Sequence, residues 1–144
     1  MQRITAQLRP EIIDDLGLEA AIEWYTSEFA KRNQVEILLD FESGLQVSPD
    51  ASHIIFRVIQ ESLTNIARHS KATQVDISLS KLTGQIQLTI SDNGIGISES
   101  EINSPKSFGL ISMKERAASL GGTLEIIPEF KYGTTIRFSF PIKS

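Results

Sequence analysis

The chain has 144 residues, of which 40% are hydrophobic and 22% charged, so it is long enough to form one domain around a single core. Its formal net charge of −4 has the wrong sign for a protein that grips nucleic acid or anionic lipid over a broad face. The lack of cysteine and the presence of only two histidines argue against disulfides, thiolate catalysis and a zinc centre.

The chain also carries no apolar run close to the roughly 20 residues needed to cross a bilayer. Its first residues, MQRITAQLRPE, contain no apolar signal region. We therefore expect a cytoplasmic chain in which this segment makes no membrane contact.

The first 41 residues predict a helix end, a complete helix and a strand, in that order. Residues 1–9 are typical of a helix end, because Pro10 disfavours helical backbone in the residue before it. Residues 18–32 repeat apolar side chains every three or four positions, which predicts an amphipathic helix entered at Gly17. Residues 35–41, VEILLDF, favour a strand.

A second long helix is predicted to begin at Ser48-Pro49-Asp50 and to run to about Ser70. Serine is a good N-cap, proline fits the first helical position and an acid suits the first turn. Residues 73–80 and 85–90 then alternate apolar and polar side chains, which predicts two strands joined by a short turn.

The last third predicts a polar loop over residues 92–107, a helix over 110–120 ended by two glycines, and strands over 123–127 and 134–140. The order is α, β, α, β, β, loop, α, β, β. It predicts an α/β two-layer sandwich, with a mixed, mostly antiparallel sheet and its helices on one face.

The second long helix carries the first candidate site. Glu61, Asn65 and His69 are spaced four apart and Arg68 lies beside them, so all four share one side of the helix. A carboxylate, an amide oxygen and two nitrogen groups suit a hydrated magnesium ion with phosphates around it. A plain polar helix face explains the same pattern equally well.

Two loops offer further candidates. In SDNGIGI, Asp92 is followed by Gly94 and Gly96, which fits either a hairpin turn or a loop that approaches a flat ligand. A polar stretch follows instead of a second strand, which favours the ligand loop. The segment from Lys106 to Leu110 opens a helix whose N-terminus could receive phosphates, although a plain connecting loop is equally compatible.

Four segments in this order resemble the nucleotide-binding boxes of sensor histidine kinases. They are ESLTN (61–65), DNGIG (92–96), FGLISMKERAASLGG (108–122) and GTTIRFSFP (133–141). The implied fold is the Bergerat-type ATP-binding fold shared with gyrase, the Hsp90 chaperone and MutL. LRPEIIDDLGLEAAI (8–22) and the GLxxMxERAxxLGG pattern resemble the nitrate-sensor (NarX/NarQ) subfamily, which includes the DegS and DesK kinases.

The resemblance implies a role for each candidate residue. Asn65 would coordinate Mg²⁺, and Glu61 would order metal-bound water or assist deprotonation of the acceptor. Arg68 and His69 match positions that reach phosphate or ribose. Asp92 would accept a hydrogen bond from the adenine amine, with Gly94 and Gly96 letting the backbone approach the base. The remaining implied contacts are an adenine contact by Thr134, a phosphate contact by Lys106 and a lid formed by Gly109 and Leu110.

The sequence also departs from the pattern. The lid segment 98–107 is short, and Phe108 and Ser112 stand where the subfamily often has glycine. The phosphoaccepting histidine of these kinases lies on a dimerisation helix, and neither His53 nor His69 is in the right element to replace it. Residues 1–9 are therefore interpreted as the remnant of that helix, and residues 10–144 as the ATP-binding catalytic domain.

The resulting hypothesis is an ATP- and Mg²⁺-binding module of a two-component histidine kinase. It would deliver the γ-phosphate to a histidine on a separate dimerisation domain, for relay to the receiver domain of a response regulator. The isolated module is expected to be monomeric. The alternatives are an anti-sigma-type serine kinase of the same fold and a degenerate interaction module that no longer binds nucleotide.

Overall fold

The structure of the chain is a computed structural model that describes residues 17–69, 71–95, 108–128 and 133–142. Three helices are present in this part: α1 (Leu18–Asn33), α2 (Pro49–His69) and α3 (Phe108–Ser119). The strands are β1 (Glu36–Phe41), β2 (Gln74–Leu82), β3 (Gln85–Asp92), β4 (Thr123–Pro128) and β5 (Thr134–Pro141). The predicted order of these elements is confirmed, whereas the helix end predicted over residues 1–9 lies outside the described residues.

The five strands form one sheet in the order β1-β2-β3-β5-β4. β1 runs parallel to β2, and every other neighbouring pair is antiparallel. β2 and β3 form a hairpin in which Leu82 pairs with Gln85, so the turn is the predicted pair Thr83-Gly84. The sheet is therefore mixed and mostly antiparallel, as predicted.

The core lies between one face of this sheet and the helices. Alternate residues of the three central strands are buried on that face, because successive side chains of a strand point to opposite sides. In β3 these are Ile86, Leu88 and Ile90, and they meet Ile55, Ile59 and Leu63 of α2 in one apolar cluster. The opposite face carries polar pairs such as Arg137 with Glu125, 3.3 Å apart. The predicted two-layer sandwich is confirmed.

Local signals in the sequence set the start of α2 and the end of α3. The backbone N–H of Ala51 donates to Ser48 Oγ at 3.2 Å, which is the predicted side-chain cap of α2. α3 ends where Gly121 takes a left-handed φ of 72° and its N–H donates to the Ala118 carbonyl.

Three boundaries differ from the prediction by two residues, and one of them is the end of β2, which lies at Leu82 instead of Ser80. α3 begins at Phe108, two residues before the predicted start, and β3 continues to Asp92 instead of ending at Ile90. Asp92 extends the strand because it pairs with Val75 of β2 on one side and with Thr134 of β5 on the other. Across residues 17–69, 71–95, 108–128 and 133–142, no helix has the length and apolar character needed to span a membrane.

Candidate functional site

The last residue of β3 and the first residue of β5 lie opposite each other at one end of the sheet. Asp92 pairs with Thr134 in the antiparallel ladder, and their side chains are only 8% and 7% exposed. Asp92 is two residues beyond buried Ile90, so its carboxylate lies on the helix-facing side of the sheet. A carboxylate and a hydroxyl, both predicted to bind adenine, are thus brought together.

The Asp92 carboxylate is oriented by the loop that follows it. Its Oδ1 accepts a hydrogen bond of 2.8 Å from the backbone N–H of Gly94, which is also buried. This local bond closes a turn typical of aspartate and points the chain away from the sheet. A carboxylate at this place could accept a hydrogen bond from a ligand N–H group, since an ionised carboxylate has acceptor atoms only.

Gly133 permits the close approach of β5 to the end of β3. The sequence alone predicts no role for this residue, because there it is only a glycine before a strand. Its φ is +89°, and a Cβ added to it would collide with the carbonyl oxygen of Asp92. A side chain at position 133 would therefore push the two strand ends apart. The only signal in the sequence is the Gly-Thr-Thr entry into the last strand, which does not show which backbone lies against it.

Asn93 is a second residue that the sequence interpretation left without a role. Its Oδ1 accepts hydrogen bonds from the backbone N–H groups of Thr73 and Gln74 at 2.9 and 3.0 Å. Its Nδ2 donates to Thr73 Oγ1 at 3.0 Å. Asn93 thereby ties the loop after β3 to the start of β2.

The predicted metal and phosphate residues lie on the C-terminal half of α2. Glu61 and Asn65 are one turn apart and half-buried, whereas Arg68 is exposed. His69 is the last residue of the helix, and its side chain lies outside the described part. Two oxygen donors in this arrangement suit Mg²⁺, which is usually bound through one or two protein carboxylates and keeps several waters. Within the described part of the chain, no three His, Asp or Glu side chains converge on a metal position.

Glu61 lines a cleft of about 280 Å³ between the three helices. Its walls are formed by Tyr25 of α1, by Arg57, Gln60, Glu61 and Thr64 of α2, and by Ser112, Met113 and Arg116 of α3. Asn65 is not among these residues. The cleft is polar apart from Met113, whose Sδ accepts a hydrogen bond of 3.5 Å from Ser62 and joins α3 to α2.

Tyr25 places a phenol beside this carboxylate. Its ring packs edge-to-face on Phe56 at a centroid distance of 5.5 Å. The pKa of the Tyr25 hydroxyl is raised above its usual value, chiefly by burial. Arg32 opposes this rise, the Glu61 carboxylate adds to it, and the hydrogen bond with Thr64 opposes it. The sequence placed Tyr25 only in the apolar stripe of α1, yet its hydroxyl end belongs to the cleft.

Several predicted site residues cannot be placed. Gly96 and Lys106 lie outside the described residues. Gly109 and Leu110 belong to the first turn of α3, but their side-chain surroundings also lie outside the described part. Their predicted lid and phosphate contacts stay predictions.

The region from the start of α2 to the end of the chain matches a known family. Residues 50–144 match the family described as histidine kinase-, DNA gyrase B- and HSP90-like ATPase. The chain belongs to this ATPase family. All of the predicted nucleotide-binding residues fall inside the matched region of this ATPase domain.

Curated relatives of this ATPase domain are sensor kinases. The chain is 34% identical over 142 residues to the sensor histidine kinase LiaS of Bacillus subtilis, covering 99% of this chain and 39% of LiaS. It is 34% identical over 145 residues to the signal transduction histidine-protein kinase/phosphatase DegS of Brevibacillus brevis, covering 99% of this chain and 37% of DegS. The predicted resemblance to the subfamily that includes DegS is confirmed. The chain spans less than half the length of either relative.

Solved structures share the fold. The histidine kinase domain of the blue-light activated kinase of Erythrobacter litoralis EL346 matches with a TM-score of 0.73, over 86% of this chain and 60% of that chain. The sequences are 21% identical, so this likeness concerns the fold alone.

Proposed function

We propose that this chain is the ATP- and Mg²⁺-binding catalytic module of a two-component sensor histidine kinase. The single observation that carries the proposal is the buried Asp92 carboxylate opposite Thr134, at the end of two central strands of the ATPase fold. The names of the curated relatives favour a histidine kinase over the serine kinase of the same fold.

Asp92 selects adenine in this proposal. Its carboxylate accepts a hydrogen bond from the exocyclic amine of adenine, whereas guanine presents a carbonyl oxygen at that position. Two acceptors facing each other in a buried site leave both groups unpaired, which excludes guanine. Thr134, buried beside Asp92, contacts the same base edge through its hydroxyl or a bridging water.

The C-terminal half of α2 would hold the metal and the phosphates. Asn65 supplies an amide oxygen to Mg²⁺, and Glu61, one turn earlier, orders the metal-bound water or assists deprotonation of the acceptor. Held there, Mg²⁺ would offset the negative charge that develops on the phosphates during transfer. Arg68 and His69 would reach phosphate or ribose, and Lys106 would contact phosphate. Gly96, with Gly94, would let the backbone approach the base, and Gly109 and Leu110 would form the lid.

The acceptor in this proposal is a histidine on a separate helical dimerisation domain. An imidazole nitrogen attacks the γ-phosphorus, a P–N bond forms and the bond to the bridging oxygen breaks, leaving ADP. Glu61 lies in a polar cleft that an incoming side chain can enter from outside the three helices. The phosphoryl group then passes to an aspartate of a response regulator. The module alone is expected to be monomeric.

Phosphoryl transfer tests this proposal. The chain is incubated with Mg²⁺ and radiolabelled ATP, together with the histidine-bearing helical domain of its own kinase supplied on a second polypeptide. We expect label on that domain which is lost in acid and kept in alkali, as phosphohistidine requires. Label that survives acid would instead identify a serine acceptor and overturn the assignment. Asp92→Ala serves as the negative control, because it removes the proposed adenine contact.

A further inference from the structure

Asn93 connects two parts of the site that are far apart in the sequence. On one side it lies between Asp92 and Gly94, the residues proposed to face adenine. On the other side its amide hydrogen-bonds to Thr73 and Gln74. Gln74 is the first residue of β2 and Thr73 directly precedes it, only four positions after His69 at the end of α2.

The connection uses side-chain and backbone bonds together. The backbone N–H of Asn93 donates to the carbonyl of Gln74 at 3.2 Å, in addition to the bonds of its side chain. The β2–β3 ladder ends with the pair Val75 and Asp92. The backbone bond of Asn93 to Gln74 therefore extends the pairing of these strands by one residue. The carbonyl of Thr73 is itself held by the N–H of Glu36 at 2.9 Å, which anchors this point to β1.

The segment that Asn93 holds leads directly into the phosphate half of the site. Lys71 has a left-handed φ of 55°, so the chain turns sharply between the last turn of α2 and Thr73. Fixing Thr73 and Gln74 therefore fixes where α2 ends relative to β3. Arg68 and Asn65 lie on those last turns.

We propose that Asn93 is a positioning residue that sets the spacing between the adenine half of the site and its metal and phosphate half. This inference rests on the proposed nucleotide site. A ligand that contacts both halves gains affinity only when their separation matches its own length, as for any two linked binding groups. Asn93 acts through Asp92, Gly94 and the end of α2, while its own side-chain amide bonds to Thr73 and Gln74.

The bonds of Asn93 are exposed to solvent, which separates its effect on binding from its effect on stability. In Asn93→Ala, water can satisfy the N–H groups of Thr73 and Gln74, so the chain should still fold. The two halves of the site would then move relative to each other, and we expect the Kd for Mg-ADP to rise about tenfold, the loss of roughly one net hydrogen bond.

The test compares four chains by calorimetric titration with Mg-ADP. Asn93→Asp keeps both acceptor bonds to the backbone and loses only the donor to Thr73, so its Kd should stay within about threefold of the unmodified chain. Asn33→Ala is the matched control: Asn33 also bonds the backbone, to the Phe29 carbonyl at 3.1 Å, but lies at the end of α1. We expect Asn33→Ala to bind like the unmodified chain.

Amide hydrogen exchange gives an independent readout. The N–H groups of Thr73 and Gln74 should exchange faster in Asn93→Ala and be protected again in Asn93→Asp. If Asn93→Ala does not fold, Thr73→Val is used in its place. It removes only the hydrogen bond from Asn93 Nδ2 to Thr73 Oγ1 and should raise the Kd for Mg-ADP about two- to threefold.

The outcomes separate this inference from the proposed function. Absence of Mg-ADP binding by the unmodified chain contradicts the proposed function. Normal binding by that chain and by Asn93→Ala alike overturns the positioning role. An equal loss of Mg-ADP affinity in Asn93→Ala and Asn93→Asp also overturns the positioning role. The bonds that Asn93 Oδ1 accepts from Thr73 and Gln74 would then not determine the affinity.

Discussion

Asp92 and Thr134 face each other across β3 and β5, and both side chains are buried on the helix-facing side of the sheet. The next pair along the ladder, Ser91 and Thr135, lies on the opposite face, where the two hydroxyls are 2.8 Å apart. Neighbouring polar pairs thus have different surroundings. The hydroxyls of Ser91 and Thr135 bond to each other on one face of the sheet, whereas Asp92 and Thr134 bring a carboxylate and a hydroxyl to the edge of the core on the other face.

Replacing Asp92 should weaken adenine nucleotide binding without unfolding the chain. Asp92→Ala removes at least one charge-assisted hydrogen bond to the base, which costs roughly 1.5 to 3 kcal/mol, or about ten- to a hundredfold in Kd for ADP. Calorimetric titration measures this directly. Asp76→Ala is a suitable control, because Asp76 is an exposed aspartate of β2 whose Oδ1 accepts a hydrogen bond of 3.2 Å from the Gln74 side chain. Unchanged ADP affinity in Asp92→Ala would sink the adenine assignment.

Asn65 should account for the response to magnesium. In Asn65→Ala the loss of an amide oxygen should lower the metal affinity of the nucleotide complex roughly 10- to 100-fold, a range typical of lost supporting contacts at metal sites. Titrating ADP with and without Mg²⁺ then shows a smaller gain in affinity from the metal. Gln60→Ala, a neutral change nearby on the same helix, should keep the full gain. A full magnesium response in Asn65→Ala contradicts the metal assignment.

Gly133 should tolerate no side chain. Gly133→Ala combines a left-handed backbone with a collision against the Asp92 carbonyl, whereas Gly84→Ala has a similar φ of +77° and open space around it. We expect Gly84→Ala to lower the free energy of unfolding by about 1 to 2 kcal/mol and Gly133→Ala to lower it further. Urea unfolding measures both, and ADP titration should show weaker binding only for Gly133→Ala. Equal stability losses would mean that the strand ends are not in close contact.

Tyr25 should make the stability depend on pH in the alkaline range. Since its pKa is raised, chiefly by burial, the folded chain keeps the phenolic proton at a pH where the unfolded chain loses it. The contribution is complete below about pH 10, the usual pKa of tyrosine, and is lost as the pH rises towards the folded value. Tyr25→Phe keeps the ring contact with Phe56 and should therefore lose less stability between pH 8 and pH 11.

Urea midpoints at the two pH values measure this difference, with the exposed neighbour Trp24→Phe as the control. Trp24→Phe should follow the unmodified chain. Identical losses in Tyr25→Phe and the unmodified chain would show that the Tyr25 proton is not linked to folding.

Much of the fold could be predicted because it follows from local signals. Alternation in residues 85–90, the Ser48 cap and the paired glycines after α3 each identify an element without knowledge of its neighbours. The length of β3 has a long-range cause. β3 reaches Asp92 because Val75 of β2 and Thr134 of β5, which lies 42 positions later in the chain, both pair with it.

The same reason explains which site residues were missed. Gly133 matters because of the Asp92 carbonyl, and Asn93 because of Thr73 and Gln74, which are 20 and 19 positions away. Tyr25 reads as a core residue of an amphipathic helix until its hydroxyl is placed beside Glu61. Periodicity and short motifs carry no information about such pairings. The motif around Asp92 predicts a ligand loop from its own residues, and that role stays a prediction.

Calorimetric titration of the unmodified chain with ADP, a non-hydrolysable ATP analogue and GTP, each with and without Mg²⁺, tests the central claim most directly. The account predicts binding of both adenine nucleotides, tighter with Mg²⁺, and far weaker binding of GTP because Asp92 meets an acceptor on guanine. Equal affinity for adenine and guanine nucleotides, or no binding at millimolar concentration, would contradict it.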